Sequence, residues 1–299
     1  VPRIIITMGD PAGIGPEVIE RALTSPEIPR GFEIEVLGDR HAGIPGQPDA
    51  RSAAAAMAAL DEAVRQLKNG SADAVVTGPV SKEGLQALGF PHPGQTEYFA
   101  HAFGVTDYGM LLTGKTLTVG LATIHEPLAR VPGLLTQERI VRIGLLTADF
   151  LNRRGIVQPQ IAVAGLNPHA GENGAFGNEE TRVIRPAIER LNSAGVAHFS
   201  GPAVPDAIFR DAAQGHYHAV LAMYHDQGLI PLKLIDFDTA VNVTLGLPKP
   251  RTSPDHGTAF SIAGKGIASP ASMIAAIRLA CELAENLPQS AVGERKSGH

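Results

Sequence analysis

The sequence has no tryptophan and a single cysteine, Cys281, in 299 residues. One thiol excludes an intramolecular disulfide framework and fits a reducing compartment. Aromatic residues are only 5% of the chain, so platforms for stacking bases or sugars are few. Neither charge sign dominates: 25 Lys and Arg stand against 30 Asp and Glu, a formal net charge of −5 without long runs. That balance excludes a broad nucleic-acid surface but leaves room for a small anion held by a few local cations. No apolar run approaches the ~18 residues that span a bilayer. The start, Val1-Pro2-Arg3 and then Ile4-Ile5-Ile6, has no signal-peptide core. A cytoplasmic enzyme with no membrane or nucleic-acid partner is therefore expected.

Hydrophobic residues at 44%, with 33 Gly and 23 Pro, describe a turn-rich globular chain long enough for two lobes. Short, continuously apolar runs predict strands over 4–7, 33–37, 73–77, 110–113, 118–123, 160–164, 219–223 and 241–244. Helical periodicity and caps predict helices over 53–67, 136–152, 179–194 and 270–286, and Pro16 marks the start of another. Strands of this kind alternating with helices imply a mostly parallel sheet covered on both faces. Residues 289–299 are polar and read as a frayed end. Ligands of parallel α/β folds sit at the carboxyl ends of strands. Five such ends carry polar residues: Gly9-Asp10, Thr77 to Lys82, His125, Asn167-Pro168-His169 and His225-Asp226. Their number points to one convergent site.

Four segments carry chemistry. Gly9-Asp10-Pro11-Ala12-Gly13-Ile14-Gly15-Pro16-Glu17 is a glycine turn between a strand and a helix, where backbone can approach an anion or cofactor. Val18 stands where the dinucleotide fingerprint needs its third glycine, and glycines in such a turn also serve packing alone. His125, His169 and His225 each follow an apolar strand, and three neutral imidazoles can hold a divalent ion with positions left for substrate. A hydrogen-bonded histidine at a strand end is the plainer alternative; His92, His101, His216, His218 and His299 read as surface residues. Lys233, Asn242 and Arg251 gather after the His225-Asp226 turn and suit an anionic substrate. The small-residue loop from His256 to Pro270 reads as backbone wrapped against a flat ligand. Cys281, in the helix that follows, has no paired base and reads as a core thiol.

The glycine turn and the 256–270 loop together resemble the isocitrate and isopropylmalate dehydrogenase superfamily. Within it, residues 7–18, 77–84, 93–99, 121–128, 165–176, 223–234, 241–247 and 251–268 resemble, in order, the motifs of the 4-hydroxythreonine-4-phosphate dehydrogenases of pyridoxal-phosphate biosynthesis. The resemblance implies an α/β fold of two α/β/α lobes with a cleft between them. Residues 1–94 plus 243–299 would form a discontinuous lobe with the glycine turn and NAD loop. Residues 95–242 would form the second lobe, with the metal histidines and dimer contacts.

It further implies a divalent metal (Zn, Mg or Co) on His125, His169 and His225, in a site completed across a homodimer interface. A small phosphorylated hydroxy amino acid would be bound by Gln95, Thr96, Lys233, Asn242 and Arg251. NAD, with NADP as the alternative, would lie against Gly13, Gly15, His256, Gly257, Thr258, Ala259, Gly264, Lys265 and Ala268. Lys233 and Asp226 are the catalytic candidates, Lys233 for polarising or deprotonating the hydroxyl. The implied reaction oxidises 4-phosphohydroxy-L-threonine to 2-amino-3-oxo-4-phosphohydroxybutyrate, which decarboxylates to 3-amino-2-oxopropyl phosphate. One position departs from the family pattern: its G-H-T-E is here Gly94-Gln95-Thr96-Glu97, so a neutral amide replaces an imidazole. That departure keeps open relatives that oxidise 4-phospho-D-threonate, 4-phospho-D-erythronate or an aromatic cis-dihydrodiol carboxylate. A three-histidine hydrolase and a two-lobed binding protein are the rivals from other classes; the 256–270 loop and the gathered cations speak against them.

Overall fold

Residues 1–287 are described by the computed structural model; the expected frayed end, with His299, lies outside the described residues. The apolar runs become strands β1 (Arg3–Thr7), β2 (Glu33–Leu37), β3 (Ala74–Thr77), β4 (Gly109–Thr113) and β5 (Thr118–Leu121). They continue as β6 (Gln160–Ala164), β7 (His198–Ala203), β8 (Ala219–Ala222), β9 (Val241–Leu245) and β10 (Arg251–Pro254). Helices are α1 (Gly15–Leu23), α2 (Ala50–Lys68), α3 (Lys82–Ala87), α4 (Gln95–Phe103) and α5 (Val131–Leu134). The rest are α6 (Gln137–Arg153), α7 (Arg185–Ser193), α8 (Pro205–Ala213), α9 (His225–Asp236) and α10 (Ala271–Glu285).

Two strands and several helices escape the apolar pattern for identifiable reasons. β7 contains Gly201-Pro202, which a central strand would not tolerate, but it lies at the sheet edge. β10 is Arg-Thr-Ser-Pro, polar because one of its faces is a site rather than a core. α9 carries Gly228 and Pro231, both helix-weakening. Gly228 is required where it stands, since a β-carbon there would come within 2.5 Å of Val119 on β5.

All ten strands join one sheet in the order β2-β1-β3-β10-β9-β4-β5-β8-β6-β7. Six of the neighbouring pairs are parallel, as expected, whereas β10–β9, β9–β4 and β4–β5 in the middle are antiparallel. Period-two alternation divides the side chains between faces. On one face a continuous apolar layer runs from Ile4 and Val76 through Val241, Val243 and Leu111 to Ile161, under α1, α10, α6 and α7. On the other face the cover is split. Ile5, Val75, Leu60 and Phe99 pack with α2 and α4, and Leu112, Val119, Ala162 and Leu229 pack with α8 and α9. The gap lies over the antiparallel centre.

The boundary expected at Gly94 does not coincide with packing. Phe99 and Ala100 of α4 join the cluster of Ile5 and Leu60, so residues 95–103 stand with the N-terminal part of the chain. Arg251 and the residues after it pack against β3 and α1, which places the glycine turn and the 256–270 loop together.

Candidate active site

The gap in the apolar cover is a cleft of about 510 Å³. Its floor follows from strand alternation. Val241, Val243 and Leu245 face the continuous core, so Asn242 and Thr244 point to the other face, where Asn242 lines the cleft and Thr244 lies beneath Arg251; Thr252 bonds to α10, so Arg251 and Ser253 face the cleft.

Arg251 is the central group. It is 3% exposed, and every acceptor around it is neutral. Its Nε and Nη2 donate to Thr77 Oγ1 at 3.0 and 2.6 Å, and Nη1 donates to Thr244 Oγ1 at 3.1 Å and Thr96 Oγ1 at 3.3 Å. Nη2 also donates to Gln95 Oε1 at 3.3 Å. Among the described residues no carboxylate oxygen lies within 4.0 Å of it. Burial pushes the guanidinium down to about 10, partly opposed by the charge of Glu97, so it is still cationic at neutral pH. A buried cation without a counter-ion is costly unless an anion completes it. Gln95 and Thr96 reach it because α4 begins at Gly94, whose extended backbone serves as the N-cap. The Gln95 amide nitrogen is occupied by the Gly78 carbonyl at 3.1 Å, leaving its oxygen to face Arg251. Asn242 Oδ1 is buried and has no hydrogen-bond partner. Lys233, from α9, pairs with Asp255 at 3.0 Å, and both line the cleft.

His125 and His225 face each other across the same cleft with ring centroids 5.5 Å apart. Burial, then the nearby charges of Lys82 and His225, holds His125 below the usual imidazole range, which favours the neutral form a metal needs. His225 Nδ1 lies 2.7 Å from Asp226 Oδ1, an arrangement that orients a ligating imidazole and leaves Nε2 free. Asp226 itself is not part of the cleft lining; it touches the cleft through His225.

His169 is elsewhere. It is exposed beside Phe176, ring centroids 5.9 Å apart, on a turn where residues 169–173 all have positive φ. Such a run is strained for L-residues, so something must hold it. Glu180, 3% exposed, accepts from Leu166 N at 2.8 Å, Asn167 N at 2.7 Å and Asn167 Nδ2 at 3.0 Å, pinning the start of the turn. Among the described residues no group of three or more His, Cys, Asp or Glu is placed to hold a metal ion. Of the five polar strand ends, those at Thr77–Lys82, His125 and His225 meet in the cleft. Gly9-Asp10 and Asn167–His169 do not: Asp10 is buried against Ala12 and Pro79, and β6 lies two strands from β5.

The glycine turn and the 256–270 loop are in contact. Ile14 N donates to Thr258 O at 2.9 Å, and a β-carbon on Gly13 would lie 2.7 Å from that oxygen. Gly15 is required by the carbonyl of Met8, 2.1 Å from where its β-carbon would be. Glu17 accepts from Gly264 N at 3.0 Å and Gly266 N at 3.3 Å, and Arg21 donates to Ala268 O. Ala259 holds a left-handed conformation, and Lys265 lies in the same exposed turn. Of the nine residues expected at the cofactor, only His256 and Gly257 line the cleft; Gly13 and Gly15 are used in packing. His256 Nε2 is buried without a partner, and no atom lies within 4 Å of a β-carbon placed on Gly257, so this end of the cleft offers open space beside an unmet polar atom. Cys281 is buried in α10.

Sequence reasoning placed Lys82 only within the polar strand end 77–82 and passed over His92, Glu97, Ser253 and Asp255 as site residues, and all five line the cleft. Asp255 was legible as the neighbour of His256. His92 was not, because it reaches the cleft only through packing on Phe90 and Tyr98, with centroids 5.2 and 5.6 Å away.

Comparison with known proteins identifies the family. The sequence model of a family described as pyridoxal phosphate biosynthetic protein PdxA matches residues 18–280. A 4-hydroxythreonine-4-phosphate dehydrogenase from Geobacter metallireducens is 44% identical over 325 aligned positions, covering 95% of this chain and 96% of its own length. Among solved structures, a putative 4-hydroxythreonine-4-phosphate dehydrogenase from Salmonella typhimurium has a TM-score of 0.83 at 38% identity, covering 95% of this chain and 99% of that one. A terephthalate 1,2-cis-dihydrodiol dehydrogenase from Burkholderia xenovorans has a TM-score of 0.69 at 29% identity, covering 94% and 98%.

Proposed function

The chain belongs to the family of pyridoxal phosphate biosynthetic protein PdxA, whose relatives are named as dehydrogenases, and on that premise we propose that it oxidises 4-phosphohydroxy-L-threonine with NAD or NADP. The secondary alcohol becomes a ketone, NAD gains the hydride, and one proton is released. The β-keto acid formed, 2-amino-3-oxo-4-phosphohydroxybutyrate, then loses carbon dioxide, and the carbon that bore it takes up a proton to give 3-amino-2-oxopropyl phosphate. The observation that supports this most is Arg251, a buried cation whose surrounding protein acceptors are all neutral.

Each residue then has a part. Arg251, with Thr96 and Gln95 around it, takes the phosphate, whose charge completes the buried guanidinium. Asn242 offers its free Oδ1 to a donor such as the substrate ammonium. Lys233 donates to the reacting oxygen, and Asp255 at 3.0 Å aims its amine. His125 and His225 would hold the divalent metal (Zn, Mg or Co), Asp226 fixing the His225 ring. His256 and Gly257 would face the nicotinamide cofactor. When bound, these two groups supply a Lewis acid for the substrate oxygen and an acceptor for hydride.

The third histidine comes, in this reading, from a second copy of the chain, so the working unit is a homodimer. α9 carries His225 at its start and leaves Ile230 (66% exposed) and Leu234 (84%) uncovered, with Phe237 (69%) just beyond its end. This i, i+4, i+7 stripe suits burial against a partner. Among the described residues no helix is long and apolar enough to cross a membrane, and the reading is of a cytoplasmic enzyme.

The test is direct. Purified protein given 4-phosphohydroxy-L-threonine, NAD and each of the three metals should form NADH and release carbon dioxide. No NADH with any of them would end the reading. A higher kcat/KM on 4-phospho-D-threonate, 4-phospho-D-erythronate or an aromatic cis-dihydrodiol carboxylate would replace the substrate.

A further inference from the structure

Three cations line the cleft, and two of them are engaged: Arg251 by its ring of oxygens and Lys233 by Asp255. The third, Lys82, makes neither an ion pair nor a side-chain hydrogen bond among the described residues. It opens α3 directly after Ser81, whose Oγ accepts from Gly84 N at 3.0 Å. The backbone at its foot is therefore pinned while its amine is free. The stem passes Gly94: a β-carbon there would stand 4.0 Å from Lys82 Cε and 3.2 Å from Glu97 Oε2. Lys82 thus lines the same cleft as His125 and His225, on α3, an element that does not carry Arg251. An exposed cation at the cleft with no partner of its own contributes no side-chain contact to the fold.

We propose that Lys82 is a further substrate-binding residue, the one that receives the substrate carboxylate. The assignment rests on the substrate reading above and follows from the chemistry of that molecule. Its reacting hydroxyl sits on a carbon flanked on one side by the carbon bearing the phosphate and on the other by the carbon bearing the carboxylate. With the hydroxyl at the histidine pair, the two anionic groups must point in different directions. The buried fork of Arg251, ringed by hydroxyls and an amide, suits the phosphate. The mobile point charge of Lys82 is the cleft cation left for the carboxylate. Glu97, also beside Gly94, holds no ion pair with it.

Steady-state kinetics of Lys82→Gln and Lys82→Arg, with inorganic phosphate as a competitive inhibitor, test this. In Lys82→Gln, KM for 4-phosphohydroxy-L-threonine should rise about tenfold or more while kcat stays within a fewfold, because the contact is uniform between ground and transition states. The inhibition constant of inorganic phosphate should stay within about twofold, and Lys82→Arg should recover most of the loss. An unchanged KM overturns the assignment. So does a phosphate inhibition constant that rises in step with KM, which would place Lys82 at the phosphate end. Wild-type protein that turns over no 4-phosphohydroxy-L-threonine would overturn the substrate reading instead, a result distinct from an active wild type whose Lys82→Gln variant is its equal.

Discussion

At the scale of single residues, Gln95 is where this chain leaves its family's pattern. It was expected to donate to the substrate; in the structure its amide nitrogen is spent on Gly78 and its oxygen accepts from Arg251. It acts as an acceptor that orients the guanidinium. Gln95→Glu would place a carboxylate at that 3.3 Å contact and fill the anion site from within. KM should rise about 100-fold, the roughly 1.5–3 kcal/mol of a charged hydrogen bond, while the melting temperature rises or holds. A fall in melting temperature with unchanged KM would show that Gln95 does not face the phosphate subsite. Cys281 makes a second residue-scale case. Burial, and then Glu285, pushes its thiol up to about 12 from a usual value of 9.0. At pH 8 the folded protein should resist iodoacetamide and the denatured protein should react quickly. The sign for stability follows: between pH 9 and 12 the unfolded thiol loses its proton first, so this residue's contribution to stability falls as pH rises. Rapid native labelling would contradict the packing of α10.

At the scale of elements, the turn carrying His169 is the one whose geometry needs explaining. Five consecutive left-handed residues persist because Glu180 over-determines the chain just before them. Glu180→Ala leaves two backbone N–H groups without their acceptor, while Asn167 Nδ2 keeps Glu179 Oε2 at 2.7 Å. It should cost about 2–4 kcal/mol, or less if water enters, with faster hydrogen exchange confined to residues 165–175. Denaturant unfolding and exchange measured together would separate this from a global loss. α9 shows the converse. Gly228 and Pro231 weaken it as a helix, yet contact with β5 through Gly228 and burial of Leu229 and Leu232 hold it. That placement brings His225 and Lys233 to the cleft while leaving the Ile230–Leu234 stripe outside.

At the scale of the whole molecule, one sheet with an unbroken cover on one side and a divided cover on the other produces the cleft. The cleft holds two of the three candidate metal histidines and the third lies apart, which the proposed homodimer resolves. A mixing experiment tests it. His225→Ala and His169→Ala proteins should each be inactive alone. In an equal, re-equilibrated mixture, half the dimers are mixed, and each has one intact site formed by His125 and His225 of one chain with His169 of the partner subunit. About a quarter of wild-type activity per subunit should return. No recovery despite subunit exchange would place all three histidines in one chain.

What the sequence determined by itself was local. β2 and β6 fall on the residues predicted for them, β6 because a short apolar run reports burial on both faces and β2, at the sheet edge, because Ile34 and Val36 alternate with Glu33 and Glu35. Thr96, Lys233, Asn242 and Arg251 were legible as a set through motifs, and so was the contact between glycine turn and distal loop. The antiparallel centre was not legible, since β10 shows only polar residues and its pairing with β9 and β3 depends on chain segments far apart in sequence. Only the tertiary structure decided that Arg251 is buried among neutral oxygens, that His92 reaches the same cleft, and that His169 does not. Those outcomes depend on which strands become neighbours and which faces lose their cover, and no local pattern of residues encodes either.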